Sequence, residues 1–416
     1  MSVWLKDLHS NWPSWLAVAL TCFISGMGFS LAVALINATG DDTTSLGGTI
    51  LGLAICSNIL VIFSQMKLII DEHIHIYRSW RMVGMPNWLI FVLVLGQIAA
   101  VSTCGAVPGA FCATFLTDFA LDAFHRDNIR VDGISVTMGG VVLASAVCVL
   151  AAVLGGFLSL RRIYRSGMPR WTAAKCALAL ILGAGILFAC TLIEDPIDAM
   201  SACLGLIPLF AFLVPWMLPL LMQWTRPLGI AGANVRVRSN FTAPHIMPWI
   251  LFGGLIIAVG SGLRAMLSME EEFTMSPWQV FVVVLGPTIA PSVMAAFTTS
   301  LLMRKRIAHD AGALTLAGAA RNSIFRVQIG EAFALTATTT GLLSALTLFI
   351  VLLMNHGMTG EYALTGFWWQ ALIMQAGVML WVFPASNAGW PQTLGTQLHV
   401  SARKGLVLLN VSANWD

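Results

Sequence analysis

Charge is what this chain has least of. Only 10% of its 416 residues are charged and 58% are hydrophobic, whereas an ordinary soluble domain is about 25% charged. The 22 basic and 19 acidic residues cannot clothe a surface of this size in water, which excludes a soluble globular protein. The same apolar excess excludes intrinsic disorder. A net charge of +3 is too small to suggest nucleic-acid binding. The eight cysteines form no CxxC pair and lie in or beside apolar runs. They read as small packing residues, not as metal or redox centres. The dipeptide Gly-Lys never occurs, so there is no phosphate-binding loop of the GxxxxGK[ST] type. No HExxH, no GxSxG and no paired catalytic carboxylates are present either. His73 and His75 are two positions apart and do not share a helix face, which argues against a metal pair. No catalytic, cofactor-binding or metal-ligating residue is therefore expected. What remains is an all-α polytopic membrane protein with lipid as its main solvent.

A hydrocarbon core of roughly 30 Å needs about 20 apolar residues in a helix. Ten runs qualify, at about 14–38, 46–70, 88–117, 136–160, 172–193, 199–224, 248–268, 278–303, 328–354 and 367–386. They are continuously apolar instead of alternating, which favours helices over the strands of a barrel. Basic residues give the orientation. With the N-terminus inside, 19 of the 22 Lys and Arg residues fall in inner segments, and only Arg126, Arg130 and Arg264 fall outside. Asp41, Asp42, Asp118, Glu194, Asp195 and the acidic run 270–272 mirror this on the outer side. Both termini are then cytoplasmic. The outer loops are short, and the inner loops at 71–87, 225–247 and 304–327 and the tail from about 387 are the sizeable aqueous features. Trp4, Trp12, Trp15, Trp88, Trp171, Trp224, Trp249, Trp278, Trp368 and Trp369 lie near span ends, as expected of an interfacial belt.

The chain repeats itself at an offset of 234 residues. The stretch 66–97 aligns with 300–331, so that His75 meets His309, Gly84 meets Gly318, Ile90 meets Ile324, Phe91 meets Phe325 and Gln97 meets Glu331. The layout is shared more than the identities. A span ends in charge, an amphipathic inner stretch follows, a glycine turns the chain, and the next span carries a polar residue in its first turns. The chain divides into a first four-helix block with its N-terminal segment (1–160), two linker spans (161–247), a second four-helix block (248–386) and a C-terminal tail (387–416), a 4+2+4 arrangement. In each inner stretch one side suits water or a partner (His75, Arg78 and Arg81; His309 and Arg321). The other is apolar (Ile74, Tyr77, Trp80 and Val83; Leu314, Leu316 and Ala317). Such a segment can be gripped by a motor protein. Gln97 and Glu331 are intramembrane polar residues, and an ionisable group inside a span is a candidate functional site. Pro108, Pro287 and Pro291 sit inside spans and are expected to break or kink them.

The stretch A-G-A-L-T-L-A-G-A-A-R-N-S-I-F-R-V-Q-I-G-E-A at 311–332 resembles the FtsX-like permease domain of ABC transporters. Gly318, Ala319, Arg321, Glu331 and Ala332 match that family's turn and the Glu-Ala that opens its next span. The first repeat departs from it, with Gln97 in place of the Glu and Met85-Pro86 in place of the small-residue turn. The 4+2+4 layout resembles the ten-span permeases of the MacB and bacitracin-resistance type. Here, though, only a segment of about 268–277 joins the spans that in those proteins usually flank a large extracellular domain. The resemblance implies a permease subunit in a cell membrane, the expected one being the bacterial plasma membrane, that works with two copies of a separate ABC ATPase subunit. ATP and Mg would be bound by that ATPase, not by this chain. It implies that Tyr77, Arg78, Trp80, Arg81, Gly84, His309, Leu314, Leu316, Gly318 and Arg321 form the ATPase-coupling segments. The substrate would be hydrophobic or amphiphilic: a peptide, a lipid or a drug-like compound. Two alternatives stand beside this one. A mechanotransmission subunit would signal to an extracellular partner, or to an additional membrane subunit, without transport. An ion-coupled secondary transporter would need more intramembrane acids than are present.

Cysteines placed at Asp42, Asp127, Asp195, Glu271 and Glu361 are expected to react with an impermeant thiol reagent from outside the cell. Reaction only from the cytoplasmic side at any of them breaks the topology at that point.

Overall fold

The computed structural model describes residues 12–38, 41–126, 133–164, 177, 181, 184–185, 196–237, 239–258, 260, 278–316, 318–359 and 369–385. Among these there is no strand. The helices are α1 (Trp12–Ile36), α2 (Asp41–Met82), α3 (Asn87–Cys112), α4 (Thr114–Arg126), α5 (Met138–Tyr164), α6 (Pro196–Leu221), α7 (Gly229–Val237), α8 (Ser239–Gly253), α9 (Trp278–Leu316), α10 (Arg321–Thr359) and α11 (Trp369–Ala385). A 3-10 segment, Met222–Leu228, joins α6 to α7, and a π-helical turn, Gly254–Ala258, extends α8. Helices are the outcome physics requires, because a spanning segment must satisfy its backbone groups internally.

Among the described residues six segments are long and apolar enough to cross a bilayer: Ser14–Ile36, Leu51–Ile70, Asn87–Cys112, Met138–Leu160, Ala202–Val237 and Asn322–His356. Thr242–Ile257 and Trp369–Leu380 are shorter apolar helices. The run at 278–303 lies within the continuous helix α9. The run at 172–193 lies outside the described residues, apart from 177, 181 and 184–185, as do the tail from 387 and the outer segments 127–132 and 361–368. The stretch 225–247, expected as an aqueous loop, is instead helical over most of its length, and Thr242, Ala243, His245, Ile246 and Met247 are buried. Of the belt tryptophans, Trp4, Trp171 and Trp368 lie outside the described residues, and those whose side chains are described divide. Trp12, Trp88, Trp224 and Trp369 are exposed, but Trp15 and Trp249 are buried in the bundle.

α1, α2, α3 and α5 pack as one bundle, with α1 against α3 and α2 against α5 as its main contacts. Its apolar core includes Trp15, Phe29, Ile62, Ile69, Ile98 and Leu160. α8, α9, α10 and α11 form a second group with α6 and α7 against it, around Ile207, Ile250, Leu285, Leu335 and Ile350. Between the two groups lies a seam in which α9 packs along α1 and α2, while α8 and α6 also touch α2. Leu53, Leu60 and Val61 of α2 are buried in the core of the second group.

Lipid is as apolar as leucine, so helices in a bilayer associate by close packing and hydrogen bonds more than by hydrophobic drive. The α1–α3 contact shows this. Gly105 and Gly109 form a GxxxG pair on α3, facing the backbone carbonyls of Ala19 and Phe23, and Gly26 of α1 faces Ala106. A Cβ at Gly105 or Gly109 would overlap a main-chain oxygen, which cannot swing aside. Gly28 of α1 meets the backbone of Pro287 on α9 in the same way across the seam.

Gly109→Ala is therefore expected to destabilise the bundle by about 1–3 kcal/mol, the usual range for overpacking. Gly96→Ala on the same helix, where a Cβ meets nothing within 4 Å, is expected to cause no loss. Unfolding midpoints in mixed micelles check both.

Candidate functional site: two matched turns

α2 and α9 each run past their apolar stretch, without interruption, to Met82 and to Leu316. Each stops at a glycine with positive φ: 94° at Gly84 and 85° at Gly318. That left-handed conformation strains any residue bearing a Cβ, so glycine is the residue that ends these helices. The hydrogen bonds are those of a Schellman cap. Gly84 N donates to Arg81 O at 3.0 Å and Met85 N to Trp80 O at 3.1 Å. In the second turn Gly318 N donates to Thr315 O and Ala319 N to Leu314 O, both at 3.0 Å. The next helices start alike. Leu89 N and Ile90 N donate to Pro86 O, and Ser323 N and Ile324 N donate to Ala320 O. All four bonds of one turn recur in the other at the 234-residue offset, and α3 and α10 begin at Asn87 and Arg321, which are equivalent positions.

The side chains sort by burial. At the first turn Arg81, Met82 and Val83 are exposed, Met82 and Val83 at 82% and 88%. At the second turn Leu316 is 83% exposed and Leu314 is half-buried. Each turn thus displays a large apolar residue two positions before its glycine, with Trp88 and Phe325 exposed on the helices that follow. Trp80 is only half-buried and packs with Met85 against the first core. Tyr77 is buried there, its ring 6.2 Å from that of His73 and 5.6 Å from that of Trp80. This ladder of i, i+4 and i+7 rings fastens the arm of α2 to its own bundle, so Tyr77 presents no surface to a partner. Arg78, His309 and Arg321 lie on these helices, but their side chains are outside the described residues. Val83 is on the apolar side expected from the sequence, but Met82 was not singled out there. The signal for Met82 was available, as it is an apolar residue two positions before a capping glycine, outside the lipid-length run.

Gln97 and Glu331 occupy equivalent positions with different surroundings. Gln97 is buried in the first core face of α3 beside Val94, Ile98 and Val101. Glu331 is half-buried and accepts a 2.7 Å hydrogen bond from Asn234 Nδ2 of α7. The connector between α6 and α8 creates this difference. Gly330 lies against Ala231, Trp224 Nε1 donates to Thr338 Oγ1 at 3.1 Å, and the Trp224 ring meets Phe333 edge-on at 6.3 Å. Arg326, one turn before Glu331 on α10, is exposed. The prolines do not interrupt their helices. Pro108 lies inside α3 with its ring exposed, and Pro287 and Pro291 lie buried inside a continuous α9. No group of three or more His, Cys, Asp or Glu suited to a metal is found among the described residues.

Residues 48–168, the span from α2 through α5, match the family described as FtsX-like permease C-terminal. No curated protein and no solved structure matches the chain.

Tyr77→Ala is expected to lower the stability of the chain by about 3 kcal/mol, as for other buried aromatic truncations. Met82→Asp and Leu316→Asp at the exposed tips are expected to leave the unfolding midpoint within about 0.5 kcal/mol of the parent. Thermal unfolding of the three purified variants separates arm-fastening residues from tip residues.

Proposed function

We propose that this chain is the membrane permease of an ABC transporter, carrying two FtsX-like repeats whose matched turns each receive one ATPase subunit. FtsX-like permeases generally form ABC transporter membrane subunits. The observation that carries the reading is the pair of turns with identical capping bonds and equivalent exposed apolar tips at Met82 and Leu316. An exposed apolar side chain on a rigid, capped helix end is a suitable anchor for a groove on a partner, because little conformational entropy is lost on docking. The α2 and α9 helices are continuous from the apolar bundle to these tips, so displacement of a tip acts directly on the seam. ATP hydrolysis belongs to the partner, since this chain has no phosphate-binding loop. The turn end is cytoplasmic on the basic-residue asymmetry, in a multi-pass chain of the cell membrane. The cargo of such a permease is hydrophobic or amphiphilic and is exported or extracted from the bilayer.

The mechanotransmission reading is favoured by one feature at the opposite end. α4 follows α3 there and packs on α9 as well as on α1 and α3, so it touches both bundles. It exposes Phe115, Asp118, Phe119 and Asp122, a surface that a partner outside can read as the bundles shift.

Met82→Asp and Leu316→Asp place a charge in each proposed apolar contact. Either is expected to weaken ATPase binding by about 30-fold, the cost of losing a typical interface hot spot, and to abolish substrate-stimulated ATP turnover by the complex. The chain alone should hydrolyse no ATP. Unchanged affinity in both variants removes the turns as the coupling sites. Efflux assays with the intact complex distinguish transport from mechanotransmission.

A further inference from the structure

The seam between the two bundles is held at one point by an amide. Gln65, on the turn side of α2, donates from Nε2 to Thr21 Oγ1 of α1 at 2.9 Å and to Thr298 Oγ1 of α9 at 2.7 Å. Gln65, Thr21 and Thr298 are all buried. The direction of these bonds is fixed by the hydroxyls. Thr21 Oγ1 donates its single proton to Ala17 O at 3.0 Å, and Thr298 Oγ1 donates its proton to Ala295 O at 3.1 Å. Both oxygens can therefore only accept, and only the NH2 side of the amide can face them. The carbonyl is forced the other way, and Gln65 Oε1 is buried with no hydrogen-bond partner. Two turns further along α2, Asn58 accepts from Ser25 Oγ at 2.6 Å while its Nδ2 is likewise buried without a partner.

Buried amides are normally satisfied on both sides, and the place of Gln65 in the fold gives its free carbonyl a use. α2 contributes to the core of the first bundle along its length, from Ala54 and Ile62 through Met66, Ile69 and Ile70 to Tyr77. Its buried residues in the core of the second, Leu53, Leu60 and Val61, all lie on the other side of Gln65 from the turn. Gln65 stands one turn beyond the last of them, at the turn-side end of that shared packing, and the arms run from there to the tips. Each arm is roughly 26 Å long at 1.5 Å per residue.

We propose that the Thr21–Gln65–Thr298 set is a clasp at the turn-side edge of the seam. Its bonds hold the bundles together in this state, and its release lets water enter between them and reach the unpartnered Gln65 carbonyl. The clasp acts on any displacement of the tips, whichever protein drives it, and so stands independently of the ATPase reading.

Val61 is a suitable reporter. It lies one turn from Gln65 on α2, is fully buried and packs in the core of the second group. Val61→Cys is made in the full-length chain, reconstituted in lipid discs, and treated with a charged methanethiosulfonate that reacts only where water reaches a thiol. Peptide mass spectrometry locates the modification. Native Cys22 and Cys148, adjacent inside the first bundle with Cys148 Sγ 3.6 Å from Cys22 O, serve as internal controls. With the clasp intact, position 61 is expected to react slowly. Adding Thr298→Val or Gln65→Leu is expected to raise the rate about tenfold, as the loss of one to two buried hydrogen bonds implies, with Cys22 and Cys148 unmodified. Should Gln65→Leu fail to fold, Thr298→Val, which deletes a single hydroxyl, remains decisive. An unchanged rate at position 61 overturns the clasp. An equal rise at Cys22 and Cys148 also overturns it, because that result means general loosening of the bundle.

Discussion

Close approach of helix backbones is the constraint on which the rest of this structure depends. Apolar side chains gain little by leaving lipid for one another, so the bundle is held where carbonyls and glycines touch. Gly105 and Gly109 bring α3 onto α1, and Gly28 brings α1 onto Pro287 of α9. α1 thereby serves both its own bundle and the seam. The long helices α2 and α9 then lie beside it, mostly buried along the described part of their apolar lengths, and lipid-facing surface falls to other helices. Exposed Leu143, Leu150 and Leu154 on α5 and Ile373 and Met374 on α11 are ordinary in that setting.

The two described turns are alike, but their surroundings differ. The turns coincide bond for bond, and in both halves the helices before and after the turn make few contacts with each other while the first helix of the bundle packs on the third. The difference is the connector. Met222–Leu228 and α7 lie against α10, where Asn234 meets Glu331 and Trp224 meets Thr338 and Phe333, and among the described residues nothing comparable lies against α3. A position that is Gln97 in one half and buried among apolar neighbours becomes Glu331 in the other, half-buried and hydrogen-bonded. An ionisable side chain is tolerated where water and an amide partner are close, and a neutral amide replaces it where they are not.

Much of this was legible in the sequence. Apolar runs of lipid length marked most of the helices, because only length and composition decide whether a segment can span. The turns were legible too, since Gly84 and Gly318 stand at equal offsets beyond each run. The arms were harder to read. A hydropathy boundary near 70 or 303 marks the end of lipid contact, not of the helix, and nothing breaks either helix before its glycine. Tyr77 looked like a surface anchor because apolar spacing does not tell which neighbour a face meets, and His73 and Tyr77 turn inward with the Trp80 ring tilted against them. The segment 225–247 looked aqueous because its polar residues were counted without their partners. Gln65 was unreadable for a related reason. A single amide inside an apolar run acquires meaning only when Thr21 and Thr298, 233 residues further along the chain, are brought to it.

If the two turns are equivalent docking sites, one copy of this chain supplies both, and no second permease is needed to complete the pair. The intact complex, purified with its ATPase and weighed by native mass spectrometry, tests this most directly. The account predicts a mass equal to one permease chain plus two ATPase subunits. An assembly of two permease chains with one ATPase on each would contradict it.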